Sequence, residues 1–328
     1  MTNKPRLSVW VLIVICIIFP VAVFYVLNQY LNSGPSSKPI VLIIKRGSSV
    51  SQVAKQLRKS GVIENKLVFI LGARLESFGK NFKAGEYFFP AGISYKKAAE
   101  ILASGKTVNR RITITEGTLS HQIFARVATT PGLFGNLNLY KISEGIFLPE
   151  TYFYSYGDKR SALLNRMQKK LKKTLLNLWQ KRGPNLAIET SQEALILASI
   201  LEKETSRATE RYKISGIFHN RLRLGMRLQS DPTVSYALTK GKAKLDRPIN
   251  YSDLKFDSPY NTYLYKGLPP GPIANPGRAA IEAALHPVKT NFLFFVADGK
   301  GGHRFASTLF KHNQNVLKWR RLKQKHKN

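Results

Sequence analysis

The sequence predicts an α+β chain in three parts: an apolar N-terminal segment, a small α+β module and a larger mixed α+β domain. Three observations carry this. Several segments repeat apolar residues at helical spacing, and short apolar runs of strand length lie between them. Clusters of Pro, Gly and Ser separate the parts. One long uncharged run sits near the N-terminus.

That run, residues 9–27, has nineteen residues without a charge. At ~1.5 Å rise per residue a helix of this length spans roughly 28 Å, about one hydrocarbon core. A membrane anchor is therefore expected here. A cleaved signal peptide would need a shorter apolar core and a small-x-small site, and Val26-Leu27-Asn28-Gln29-Tyr30 supplies none. Lys4 and Arg6 precede the run, so the N-terminus is expected in the cytoplasm and the rest of the chain outside the inner (plasma) membrane, single-pass.

Composition narrows the partners. Lys and Arg number 52 against 19 Asp and Glu, a net charge of +33. In a soluble chain this would point first to nucleic acid. In an exported chain the anionic partners are envelope polymers, and no nucleic acid is expected. The single cysteine, Cys16, rules out an intramolecular disulfide and any Cys-rich metal site. The six histidines show no ligand spacing and no phosphate-binding glycine loop is present, so neither a metal nor a cofactor is expected.

Residues 28–39 read as a linker. In the module at residues 40–115, Ile40–Ile44 has the length and character of a strand. Ser49 is placed to cap a helix with Val50, Val53, Ala54 and Leu57 on one face. A second helix is expected over Lys66–Leu75, a strand over Gly85–Phe89, a helix over Tyr95–Leu102 and a strand over Arg111–Thr115. Residues 116–189 form an intermediate region around an amphipathic helix, Ser161–Arg182, with Leu164, Met167, Leu171, Leu175, Leu178 and Trp179 on its apolar stripe.

The domain at residues 190–318 opens with Ala194–Leu201, too apolar to have a wet face and so read as a buried helix. A helix follows over Glu210–Leu224, and Asp231-Pro232 start a third as cap and first turn. A turn-rich stretch leads to a buried strand, Phe292–Ala297, and a turn at Asp298–Gly302. Residues 319–328 form a basic tail.

Carboxylates are the remaining candidates for chemistry. Glu202 and Glu204 end the most apolar helix. Two positions apart on a helix they point ~200° apart, so at most one faces a cleft. A carboxyl beside an apolar wall is desolvated, its pKa rises, and it can act as a general acid near neutral pH. A wet helix end is the alternative from spacing alone. Tyr236, Tyr251, Tyr260, Asn261, Tyr263 and Tyr265 form an aromatic and amide cluster suited to sugar rings, or to ordinary half-buried packing.

Six blocks make the reading specific: Ala198–Thr205 (ASILEKET), Phe218–Leu222 (FHNRL), Gly225–Val234 (GMRLQSDPTV), Pro259–Tyr263 (PYNTY), Gly267–Ile273 (GLPPGPI) and Phe295–His303 (FVADGKGGH). In this order the sequence resembles the endolytic murein transglycosylases, the MltG/YceG-like family. The resemblance implies a lyase that cuts the β-1,4 bond between N-acetylmuramic acid and N-acetylglucosamine in nascent peptidoglycan strands. The muramic acid C6 hydroxyl closes onto C1 and leaves a 1,6-anhydro end, which terminates elongation. The second Glu of the E-K-E-T motif, Glu204, is implied as the catalytic acid and then base. Gln229, Asp231, Tyr260, Asn261 and Glu150 are expected to position substrate. Residues 44–54 resemble a LysM-like unit, which implies peptidoglycan binding, and the family implies coupling to cell-wall synthases, the penicillin-binding proteins. A non-catalytic peptidoglycan-binding scaffold for those synthases remains the alternative.

Overall fold

The computed structural model describes residues 6–78, 82–138, 141–243 and 245–325. The chain forms two compact units, one of residues 1–110 with 153–158 and one of residues 111–152 with 159–328.

The first unit contains α1 (Arg6–Leu31), β1 (Ile40–Ile44), α2 (Val50–Lys59), α3 (Lys66–Leu75), β2 (Gly85–Phe89) and α4 (Tyr95–Ser104). β1 and β2 pair antiparallel, with Ile40 opposite Phe89 and Ile44 opposite Gly85. Local chemistry sets the helix starts. Ser49 and Gln52 close a capping box on α2, and Asn65 and Ser94 cap α3 and α4. The core joins Val53, Leu57, Phe69, Tyr87, Phe89 and Leu102, all fully buried. The Tyr95 hydroxyl accepts the backbone N–H groups of Glu64 and Asn65 at 2.7 and 3.1 Å and so ties α4 to the start of α3.

The N-terminal expectation needs correction. Among the described residues no helix is long and apolar enough to cross a membrane. The expected span, residues 9–27, falls on α1, and the side chains of residues 6–13 and 15 lie outside those described. The end of the helix carries the polar Asn28 and Gln29. Its last turn packs on protein instead: Tyr30 is buried over Gly72, where a Cβ would stand 2.2 Å from the ring. The expected single-pass topology rests on that span, and no described helix supplies it.

The second unit contains α5 (Ser120–Thr129), α6 (Arg160–Gln180), α7 (Ser191–Glu204), α8 (Ala208–Arg223), α9 (Asp231–Thr239), α10 (Arg278–Leu285) and α11 (Leu309–Lys325). Short strands β3 (Arg110–Thr113) and β4 (Thr151–Tyr154) pair with each other. Strands β5 (Phe294–Ala297) and β6 (His303–Ala306) form an antiparallel hairpin. α7 is the central element, with α6, α8, α9 and α10 against it. Every residue from Ala194 to Leu201 is buried, so burial on all sides fixes this helix rather than an amphipathic stripe. Thr190 and Glu193 close a capping box at its start.

Two details differ from expectation. The strand at 292–297 shortens to β5 and is half-buried, because it forms one wall of an open groove. The helix at Asp231 is capped one residue earlier: Ser230 takes the cap position and Asp231-Pro232 fill the first turn.

Candidate active site

α7 ends in the two glutamates, and the helix turn separates them. Glu202 packs inward. Its Oε1 meets the Arg211 guanidinium at 3.4 Å and its Oε2 accepts the Gly277 backbone N–H at 2.9 Å, and both charged side chains are under a tenth exposed. Burial raises the Glu202 carboxyl above its ordinary range, while Gly277 and Arg211 pull it back. This is a structural ion pair with no open face.

Glu204 opens the other way, into a groove of about 580 Å³. That volume is in the ~300–1,000 Å³ range of ligand sites. The walls are β5, the Arg221 and Tyr263 side chains, and the α11 residues His312, Asn313, Val316 and Trp319. Gln229, Asp231 and His303 also line it. Burial pushes the half-buried Glu204 carboxyl up to about 7; the Ser230 hydroxyl lowers it, the Asp231 charge raises it, and the Arg221 charge lowers it.

The Ser230 contact shapes the site. Its hydroxyl donates to Glu204 Oε1 in a short hydrogen bond. Because the hydroxyl is used there, Ser230 gives α9 no side-chain cap bond. A cap bond is worth ~1 kcal/mol, so helix stability is forgone in favour of the site. Ser230 is itself held: its N–H donates to Thr262 Oγ1 at 3.0 Å, and Thr233 Oγ1 lies 2.8 Å from the same oxygen. Just before it, Gln229 is held at φ +50°, a left-handed conformation that a side chain disfavours by ~1–2 kcal/mol. Its N–H donates to the Thr262 carbonyl at 3.1 Å, and its side chain is exposed in the groove.

Three more side chains are fixed around Glu204. The Tyr263 hydroxyl donates to Asp231 Oδ1 at 2.6 Å, and burial together with that acceptor raises the Tyr263 pKa, keeping it a donor. Arg221 is buried and binds the carbonyls of Leu293 at 2.6 Å and Leu228 at 2.7 Å, locking α8 to the hairpin and to the loop before α9. Glu210 receives His303 Nδ1 at 2.7 Å and the His303 backbone N–H at 3.1 Å. The His303 ring meets Phe295 edge-on at 5.4 Å. In a neutral ring, a carboxylate on Nδ1 makes Nε2 the acceptor.

Glu204, Gln229 and Asp231, expected at the site from sequence, thus share one groove. The other three expected residues lie outside its lining. Asn261 is fully buried, and its side-chain NH₂ binds the carbonyls of Leu254 and Phe256 at 3.0 and 2.8 Å, so it holds its own loop. Tyr260 packs on Tyr236 with ring centres 4.9 Å apart. Glu150 is exposed and pairs with Lys170 on α6. Tyr263 belongs to the tyrosine cluster read from sequence, whereas Ser230, Arg221 and His303 were not singled out for this site. Of these, only Ser230 carried a local signal, a cap-type residue just before Asp-Pro; the Glu210–His303 pair is 93 positions apart. Among the described residues no three His, Cys, Asp or Glu side chains gather as metal ligands.

The chain matches the YceG-like family over residues 42–318. It is 34% identical over 316 residues to a Bacillus subtilis protein named endolytic murein transglycosylase, covering 87% of this chain and 86% of that one. A Streptococcus pneumoniae protein of the same name is 29% identical over 341 residues, 89% of this chain and 60% of that longer relative. The fold is similar to the crystal structure of a yceG-like protein from Listeria monocytogenes, with a TM-score of 0.50 and 32% identity, over 85% of this chain and 99% of that one. The chain belongs to the YceG-like family, that of the endolytic murein transglycosylases.

Proposed function

We propose that this chain cuts peptidoglycan strands internally at the β-1,4 bond between N-acetylmuramic acid and N-acetylglucosamine, with Glu204 as the single acid and base. The observation that carries the reading is a glutamate raised to about 7 in a groove of saccharide size. A group with that pKa holds a proton at neutral pH and also gives it up. Glu204 first protonates the bridging oxygen as the muramic C1–O bond breaks, and the N-acetylglucosamine leaves with a free hydroxyl. The muramic C6 oxygen then bonds to C1 and its proton passes to the Glu204 carboxylate. The enzyme is restored, no water is consumed, and the strand ends in 1,6-anhydro-muramic acid. One carboxylate suffices because the nucleophile belongs to the substrate, unlike the paired carboxylates of hydrolytic glycosidases.

Ser230 and Asp231 set the proton affinity of Glu204, and Gln229 and His303 contact the sugar. His303 offers Nε2 as an acceptor for the C6 hydroxyl, with Glu210 holding the ring. Work on murein places the activity outside the cytoplasm. A cut inside a growing strand ends its elongation beside the synthases that make it. The test is mass spectrometry of uncrosslinked strands incubated with the purified chain. Internal fragments with anhydro ends support the proposal. Sedimentation with cell-wall sacculi and no new ends supports the scaffold reading instead.

A further inference from the structure

A second groove of about 550 Å³ adjoins the first. Asp231 and Trp319 line both, so the two meet along the start of α9 and the side of α11. Their chemistry differs. The Glu204 groove has aromatic and hydrogen-bonding walls. The second has more aliphatic lining, with Leu119, Pro232 and Ile273 beside Tyr236 and Trp319, and two exposed ammonium groups, Lys203 and Lys323. Lys323 Nζ stands 5.2 Å from the Trp319 ring centre, at the shared edge. The third cation, Arg247, is already neutralised by two bonds to Asp253 at 2.5 and 2.9 Å.

We propose that this second groove seats the acidic peptide stem carried by the muramic acid whose linkage is cut. This rests on the reading of the Glu204 groove as the saccharide site. The stem branches sideways from the sugar ring, at a carbon other than the one being cut. A ring held at Glu204 therefore sends its stem out of the sugar groove, and the adjoining groove lies there to receive it. A stem of small aliphatic residues with free carboxylates matches aliphatic walls with two cations. Lys203 donates to the Gly117 carbonyl at 3.5 Å, and a bare sugar strand, with hydroxyls and no charge, would leave both ammonium groups without a carboxylate. The enzyme is then selective for strands that still carry stems, as newly made strands do.

The experiment compares uncrosslinked strands bearing stems with the same strands stripped by an amidase, both cut by the full chain. The expected KM for stripped strands is about tenfold higher, and Lys323→Glu brings the ratio near one. Equal KM values in the wild type, or an unchanged ratio in the variant, overturn the proposal. Lys323 is exposed on the last turns of α11, so its replacement leaves the core intact. Calorimetry with a muramyl disaccharide-peptide and with its peptide-free disaccharide separates this claim from the proposed catalysis. About tenfold tighter binding of the peptide form supports the stem groove even where no strand is cut, a result that would count against Glu204 alone. Equal binding of the two ligands refutes the groove.

Discussion

Replacing Ser230 with alanine moves the alkaline limb of the pH–rate profile upward. The Ser230 hydroxyl donates to the Glu204 carboxylate and so favours the charged form. Without it the protonated form gains and the pKa rises. A hydrogen bond to a charged group is worth ~1.5–3 kcal/mol, and water entering the half-open groove replaces part of it. The remainder is about one pH unit, or ~1.4 kcal/mol. The general acid works only when protonated, so wild-type kcat/KM falls as pH rises through about 7. The variant's limb lies about one unit higher. Initial rates on soluble strands across the neutral range read this directly. A limb that stays in place, or moves to lower pH, refutes the assigned contact. Stability supplies a control: Ser230 gives α9 no side-chain cap bond, so the usual ~1 kcal/mol loss for removing a cap is absent.

Other perturbations follow from the same geometry. His303→Ala lowers the share of anhydro ends relative to hydrolysed reducing ends, because water replaces an unoriented C6 hydroxyl; a proportional loss of both products, read by mass spectrometry, would reduce His303 to a structural part. Glu204→Gln is more stable than the wild type at pH 8 and equal to it near pH 4. The folded pKa lies above the ordinary 4.5, so the wild type loses stability as pH rises from 4.5 through about 7. With the solvent contact of the groove discounted, the gap reaches about 1–2 kcal/mol in thermal unfolding. Gly216→Ala on α8 puts a Cβ 2.3 Å from the Val288 carbonyl oxygen. It should destabilise by about 2 kcal/mol despite alanine's better helix propensity, and an unchanged Tm would show that the segment at Val288 yields freely.

Local elements were legible because local chemistry fixes them. Ser49 caps α2, and α3 and β2 keep their expected bounds, Lys66–Leu75 and Gly85–Phe89. The apolar stretch Ala194–Leu201 of α7 marked a buried helix, and all eight of its residues are buried, Ser199 included. Spacing also established that Glu202 and Glu204 face opposite ways. It did not say which one meets the groove, since that depends on Arg211, Gly277 and Ser230, which arrive from other elements. The N-terminal run misled as well. Hydropathy registers an apolar stretch, yet among the described residues no helix is long and apolar enough to cross a membrane, and the tertiary packing of Tyr30 over Gly72 begins only beyond the run. Asn261 misled in a different way: an amide among tyrosines resembles a sugar contact, yet its hydrogen bonds close its own loop. Trp319 sat in a stretch read as a basic tail, whereas α11 continues to Lys325 and carries it into the groove.

The most direct test of the account is the end-group analysis of uncrosslinked strands digested by the wild type and by Glu204→Gln at equal concentration and pH 7. The wild type should release internal fragments with anhydro-muramic ends. The glutamine variant, folded and able to bind the strands, should release none. Anhydro ends from the variant in comparable yield would remove the proton of Glu204 from the reaction.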